Sequence, residues 1–546
     1  MRLTTASCLP AGLLALAIPQ LGYASDKFSA EDIALVNRIT WGVNAGEMQR
    51  AQTMGIDNWL QAQLHPGSGD HLPPRAKAAL EALAIEQRSP TDLARELAER
   101  VDAAKASQAP ANAPLLHADG AAMSASSPSP PRGLAMASLQ SAPLQASTPA
   151  ALRPQDVRNA FLNDAYRQDQ ARLIMRDLYS QDQLREQMTA FWFNHFNVYG
   201  DKGEVRLFLA DYEDRAIRPN ALGNFRTLLE ATLRSPAMLQ YLDNAQNAAG
   251  HINENYAREI MELHTMGVGS GYSQKDVQEL ARILTGLGVA NPKAPTPNPQ
   301  QLAQGAIRDG MFAFYPARHD KGDKVFLGHT IRGSGYDEVR QALDILCAQP
   351  ATARHVSKQI AQYFVADDPP RALVDRIAGR FSETHGDIAK VLNLLFHTPE
   401  FHASLRQPLL KDPQHYVLSA IRLAYDDRVI VNPAPVNNWL GRLAQPLYGH
   451  LTPDGYALER TAWNGPGQIE QRFEVAQAIG SGSAGLFKGE APNAAAQPAF
   501  PVLQGALYYG GLGDTLSSST QSALTQANSP QEWNIFFLAS PDFMGR

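Results

Sequence analysis

Apolar residues recur along this chain at three-to-four spacing, and each such run tends to follow a short polar residue with an acid three positions on. Ser29/Asp32, Asn44/Glu47, Ser89/Asp92 and Ser273/Asp276 all fit. The polar oxygen can cap the free backbone N–H groups of a helix start, and the acid suits its positive end. A second phrase joins Ser/Thr-Pro to an acid or Ala and an apolar residue, at Ser235-Pro236-Ala237-Met238, Thr398-Pro399-Glu400-Phe401 and Ser540-Pro541-Asp542-Phe543. There proline takes the first helical position, where its missing N–H does no harm. Long alternating strand patterns are scarce. The expected fold class is therefore mainly α, a multi-helical orthogonal bundle with long loops and at most a small β-hairpin, placed near Val325 to Ile331.

The helical pattern breaks in a few places, and these set the organisation. Arg2, an apolar run from Leu9 to Ile18, and the small residues of Gly22-Tyr23-Ala24 make residues 1–24 read as a cleaved export signal. The mature protein is then expected in the periplasm or secreted, with no transmembrane segment. Residues 25–102 form an N-terminal helical part and 103–153 an Ala/Ser/Pro-rich disordered insertion, too poor in apolar residues to offset its ordering entropy. A central helical core at 154–290 precedes a loop-rich segment at 291–345. A C-terminal helical part at 346–480 and a Gly/Ala/Pro-rich loop with terminal helices at 481–546 complete the chain. A length of 546 residues leaves room for two to four domains.

Composition then narrows the chemistry. With 48 Lys+Arg against 54 Asp+Glu, a formal charge of -6 offers no basic field for nucleic acid. Cys8 falls in the expected signal, leaving Cys347 alone, so a disulfide within the mature chain and a zinc site built on several cysteines are excluded. The densest polar run is His251 to Thr265. As a regular helix it places Ile252, Tyr256, Ile260 and Leu263 on an apolar stripe, with Asn255, Glu259 and Glu262 beside it. Two carboxylates three apart need a positive neighbour, which a metal, an arginine or a shared proton could supply. The plainer reading pairs Glu254 with Arg258, and Glu259 and Glu262 with arginines of neighbouring helices. His195, on the face of Met188, Phe191 and Trp192, reads either as a hydrogen-bonded core histidine or as a ligand or proton-transfer group. His319-Asp320 reads either as a metal-ligand or acid/base pair or as a surface turn. HExxH, Walker A and GxSxG motifs are missing, and no GxGxxG follows a strand.

In order along the chain stand Asn37-Arg38-Ile39-Thr40-Trp41-Gly42, Phe191-Trp192 with Asn194-His195-Phe196, and Asn253-Glu254-Asn255-Tyr256-Ala257-Arg258-Glu259 with Gly267-Val268-Gly269. Leu284-Thr285-Gly286, His319-Asp320, Gly386-Asp387, and Gln445-Pro446-Leu447-Tyr448-Gly449 through Pro453-Asp454-Gly455-Tyr456 follow. This series resembles the large bacterial family known as domain of unknown function 1800. The resemblance implies an exported, mainly helical protein, often encoded near a second exported family, domain of unknown function 1501, whose members look like sulfatases or alkaline phosphatases. It implies no reaction. The chain departs from the family pattern at His264, where an aromatic is usual, and at Leu287, where a tryptophan is common. The expected function is binding of an envelope partner, either a protein of that neighbouring family or a polymer, with Asn194, Asn253, Asn255, Arg258 and His264 as binding candidates. The alternative is a hydrolase or metal-dependent enzyme, with His195, Glu259 and Glu262 as catalytic candidates. Glu259, Glu262, His319 and Asp320 are then candidate ligands of a divalent metal. A single pocket of this kind requires those side chains to converge.

Overall fold

The computed structural model describes residues 27–108, 153–489, 495, 497 and 499–546. The expected export signal, and the insertion from residue 109 to 152, lie outside the described residues.

Helices begin where the capping pattern places them. Ser29, Asn44 and Ser273 each accept the backbone N–H three residues on. Ser89 does the same for the helix Pro90–Gln108, which continues past the boundary drawn at residue 102. Asp276 returns a bond to the Ser273 N–H and completes a capping box. Ser235 and Thr398 cap the helices Pro236–Tyr241 and Pro399–Leu405. Ser540 behaves differently: its hydroxyl accepts the Phe543 N–H inside a turn, and no helix follows.

The centre of the molecule is the long helix Pro154–Tyr179 followed by Gln183–His195. The second is buried on nearly every side although half its first turns are polar, so those polar groups must find partners inside. They find them in the N-terminal segment. Gln183 accepts the Trp41 backbone N–H at 3.1 Å and Gln63 accepts that of Leu184 at 3.0 Å, while Gln187 donates to the Thr40 carbonyl. Trp41, itself buried, donates its indole N–H to Asp177 at 3.0 Å. Gly42 is required beside it: at φ +110° an added Cβ would stand 2.4 Å from the Ser419 Cβ. One continuous apolar core reaches from Ile33 to Met544. It includes the paired helices Pro350–Phe364 and Arg371–Glu383, and the pair Pro466–Gly480 and Pro530–Leu538.

Among the described residues, five short strands, all antiparallel, interrupt the helices. β1 (Leu287–Val289), β2 (Ile307–Asp309) and β3 (Phe312–Phe314) form a sheet of order β1-β3-β2, and β4 (Lys324–Phe326) pairs with β5 (His329–Ile331). The second pair is the expected hairpin, turned by Leu327 and Gly328, both at positive φ. The three-stranded sheet goes beyond the single hairpin expected. Its strands are three residues long, too short for an alternating pattern to register. No helix among the described residues is long and apolar enough to cross a membrane.

Candidate functional site

The polar run at 251–265 does not form one regular helix. Asn255–Glu259 is α-helical and Ile260–His264 widens into a π-turn, with the Thr265 hydroxyl donating back to the Ile260 carbonyl at 2.6 Å. The extra residue in the turn shifts the faces. His264 is fully buried, Leu263 is half-buried, and Ile252 lies outside the helix and is exposed, so the expected apolar stripe holds only at Tyr256 and Ile260. Asn253 and Asn255 donate to the main-chain carbonyls of Asp243 and Leu242, at 3.4 and 3.2 Å. Arg258 pairs with Glu254 at 3.1 Å, as the plainer reading expects, and also with Glu262 at 3.3 Å on its own helix rather than with a neighbour's arginine. Glu259 has no salt-bridge partner among the described residues. Burial raises its carboxyl pKa, nearby Glu262 and Asp454 add to the rise, and Arg258 opposes it.

His195 ties three elements together. Its Nε2 lies 3.1 Å from the His264 carbonyl, which can only accept, so Nε2 carries the proton. Nδ1 then accepts, and the Gln359 side-chain amide 2.6 Å away must turn its NH2 toward the ring. Burial, with His355 nearby, brings the His195 pKa down to about 4, so the ring is neutral. His264 packs as an aromatic would: its ring lies 5.0 Å from Phe196 and 6.0 Å from His195. Burial, reinforced by His195 and His355, keeps its pKa far below the usual range.

His319 and Asp320 belong to another network. His319 lies 3.0 Å from Glu338 and 2.8 Å from the Thr285 carbonyl, and Glu338 also takes the buried Lys324. Asp320 is held by Arg282 at 3.0 and 3.1 Å, which lowers its pKa. Among the described residues, no three His, Cys, Asp or Glu side chains come close enough together to hold a metal ion. Glu259 and Glu262 on one side, and His319 and Asp320 on the other, therefore do not share one.

What the fold does bring together is a cleft between the end of the helix Gln183–His195 and the segment 445–463. Two adjoining hollows, about 90 and 380 Å³, share Phe191, Asn194, Gln362, Tyr456, Ala457 and Leu458. The outer wall has little regular structure, yet it is fastened at many points. Asn194 clasps Tyr456 by two bonds, donating to its carbonyl at 2.9 Å and accepting its N–H at 2.7 Å. Asn197 donates to the carbonyls of His450 and Thr452, Tyr241 to that of Leu451, and Tyr166 to that of Leu447. Gly455 must be glycine here: at φ +73° an added Cβ would meet the Asn194 carbonyl oxygen at 2.2 Å. Ala444 and Tyr448 also lie at positive φ, at 61° and 59°. Non-glycine residues held this way mark a segment whose surroundings overdetermine it, and such segments gather at binding sites.

Over residues 34–545 the chain matches the family model described as protein of unknown function, DUF1800. The chain belongs to this family. No curated protein and no solved structure matches it. The motifs by which the sequence resembles the DUF1800 family sort into two groups in the fold. Asn253, Asn255, Arg258 and His319-Asp320 go into internal ties, whereas Phe191, Phe193, Asn194, His195, Gln445 to Tyr448 and Asp454 to Tyr456 line the cleft.

The cleft floor holds groups that were not among the site candidates from sequence. Tyr448 donates to Glu213 at 2.8 Å, and behind Glu213 lies wholly buried Arg172, which faces Asp214, Glu213 at 3.7 Å, Glu86 at 3.8 Å and Asp169 at 4.0 Å. Burial pushes the Glu213 carboxyl pKa up, Arg172 opposes and Asp214 adds, with the net shift upward. Asp412 and His415 form a second pair, 2.6 Å apart, with Trp41 against the imidazole at 4.4 Å. Asp412-Pro413 is the capping phrase again, with an acid in place of the hydroxyl: Asp412 caps the helix Pro413–Tyr425 by accepting the His415 N–H. That phrase was the available signal, and it reads first as packing.

Proposed function

We propose that this DUF1800 protein is exported to the periplasm or beyond and binds a glycan chain of the cell envelope in the cleft between the helix Gln183–His195 and the segment 445–463. The observation that carries the reading is the lining of this cleft. Rings of Phe191, Phe193, Tyr363, Tyr448, Tyr456 and Trp463 stand among planar amides and acids such as Asn194, Gln362 and Asp367. Aromatic faces pack against the C–H faces of a sugar ring, and flanking amides and carboxylates serve its hydroxyls; apolar walls with a few placed polar groups are the usual form of a ligand site. Between the two partner classes left open by the sequence, a protein such as a domain-of-unknown-function-1501 member or a polymer, a concave cleft lined by rings and planar amides favours the polymer. Export is supported by the charged start, apolar run and small-residue cleavage site before residue 25.

The test is co-sedimentation of the purified full chain with insoluble envelope polysaccharide, alongside Tyr456→Ala and Tyr456→Phe. The reading expects binding that weakens about tenfold in Tyr456→Ala and survives in Tyr456→Phe, which keeps the ring. Binding unchanged by Tyr456→Ala would remove the cleft from consideration.

A further inference from the structure

Buried cations gather beneath the floor of the cleft, with Asp412 facing them across His415. Arg546 is buried and lies over the Tyr363 ring, 4.6 Å from its centre. Its guanidinium donates to the Tyr363 carbonyl at 2.9 Å and to His415 Nε2 at 2.5 Å. His415 accepts there because its Nδ1–H is directed to Asp412. The imidazole is neutral, its pKa brought down to about 4 by burial and by Arg546, against the opposing pull of Asp412. The Asp412–His415 pair therefore orients Arg546 through an uncharged ring rather than through a direct ion pair.

Two more buried cations stand behind it. Lys411 donates to the Phe543 carbonyl at 2.7 Å and lies 3.9 Å from the centre of that ring, and Arg472 donates to the Lys411 carbonyl at 2.6 Å. Among the described residues no carboxylate forms a salt bridge with Arg546, Lys411 or Arg472. The Arg546 Nε and the Arg472 Nε and one of its terminal nitrogens are buried without a hydrogen-bond partner. Burial, then Arg472 and Arg546, drives the Lys411 pKa far below its ordinary value. Buried charges are ordinarily paired, and a buried guanidinium with a free N–H is incompletely served. Of the three, Arg546 is the one that lines the cleft, with Arg460 lining it too, its guanidinium tied to Asp367 at 3.0 Å.

We infer that the ligand of the cleft is acidic: a saccharide bearing a carboxylate, which docks on the Arg546 guanidinium at the cleft floor while the aromatic walls hold its rings. The inference rests on the glycan-binding reading and adds the charge of the ligand. A guanidinium presents a planar pair of N–H groups that matches a carboxylate, and in a site shielded from water such a charge-assisted contact is strong. Asp412 and His415 are positioning residues in this account, acting on the ligand only through Arg546.

The experiment is calorimetric titration of the full chain with three probes: an oligogalacturonate, a neutral oligosaccharide of equal length, and inorganic phosphate. The inference expects the carboxylated oligomer to bind at least tenfold more tightly than the neutral one, with phosphate alone far weaker than either. In Arg546→Gln the preference for the carboxylated oligomer should vanish; Arg546→Lys should keep part of it. If Arg546→Gln fails to fold, the comparison on the unaltered protein decides. Equal affinity for acidic and neutral oligomers overturns the inference and leaves the glycan reading standing. Binding of phosphate as tightly as the acidic oligomer marks a bare anion site and overturns the inference as well. No binding of either oligomer overturns both.

Discussion

Lowering the pH should weaken the fold through His195 in a way that can be calculated. The unfolded histidine takes up a proton near 6.5, whereas the buried one resists until about 4. Between these values the unfolded chain binds more protons, so stability is whole above pH 6.5 and falls as the pH drops toward 4. The full difference corresponds to about 3 kcal/mol, and the part lost between pH 7 and pH 5 to about 2 kcal/mol. His264 and His415 act in the same direction, since burial also lowers their pKa values, so the unaltered protein should lose more than this in total. His195→Gln isolates the single contribution. Urea unfolding at pH 7, 6 and 5 should show the unaltered chain losing about 2 kcal/mol more than the variant over that interval, whatever their stabilities at pH 7. Equal losses in the two proteins would refute the reasoning, because a histidine exposed or charged in the fold gives no such difference.

Other substitutions probe the remaining features. Arg172→Met leaves the carboxylates around it buried without their cation and should cost about 3–5 kcal/mol in urea unfolding. Gly455→Ala drives a Cβ into the Asn194 carbonyl and should destabilise by about 2 kcal/mol or more, with faster amide exchange across 450–456 and loss of glycan binding. The Cys347 thiol, pushed up to about 12 by burial, should react with iodoacetamide at pH 8 at least about a hundredfold more slowly in the native protein than in the unfolded chain.

The helix starts were the most legible part of the sequence, because a cap is a local device: Ser29, Asn44, Ser89 and Ser273 need only neighbours within three residues to act. The three-stranded sheet was illegible because its strands are too short to alternate, and β1 joins the β2–β3 hairpin from across residues 290–306. The π-turn at Ile260–His264 was hidden for another reason: a single extra residue in a turn has no composition of its own, yet it moves His264 inward and Leu263 toward the surface. Of the candidate site residues, Asn194 and His195 stand at the cleft, and both were visible through the aromatic helix that carries them. His415 was masked by the capping role of Asp412, and Arg172, Glu213 and Tyr448 meet only through the tertiary fold, from positions 172, 213 and 448. Polar residues that satisfy one another inside a helical core, such as Asn253, Asn255 and Arg258, look the same in sequence as a ligand pocket.

The measurement that bears most directly on the glycan-binding account is amide hydrogen exchange of the full chain with and without a soluble envelope oligosaccharide. The account predicts slowed exchange at 191–197 and 445–463, the two walls of the cleft, with 251–265 and 319–338 unchanged. Protection that falls instead on 251–265 or 319–338, or no protection at any concentration of the oligosaccharide, would contradict it.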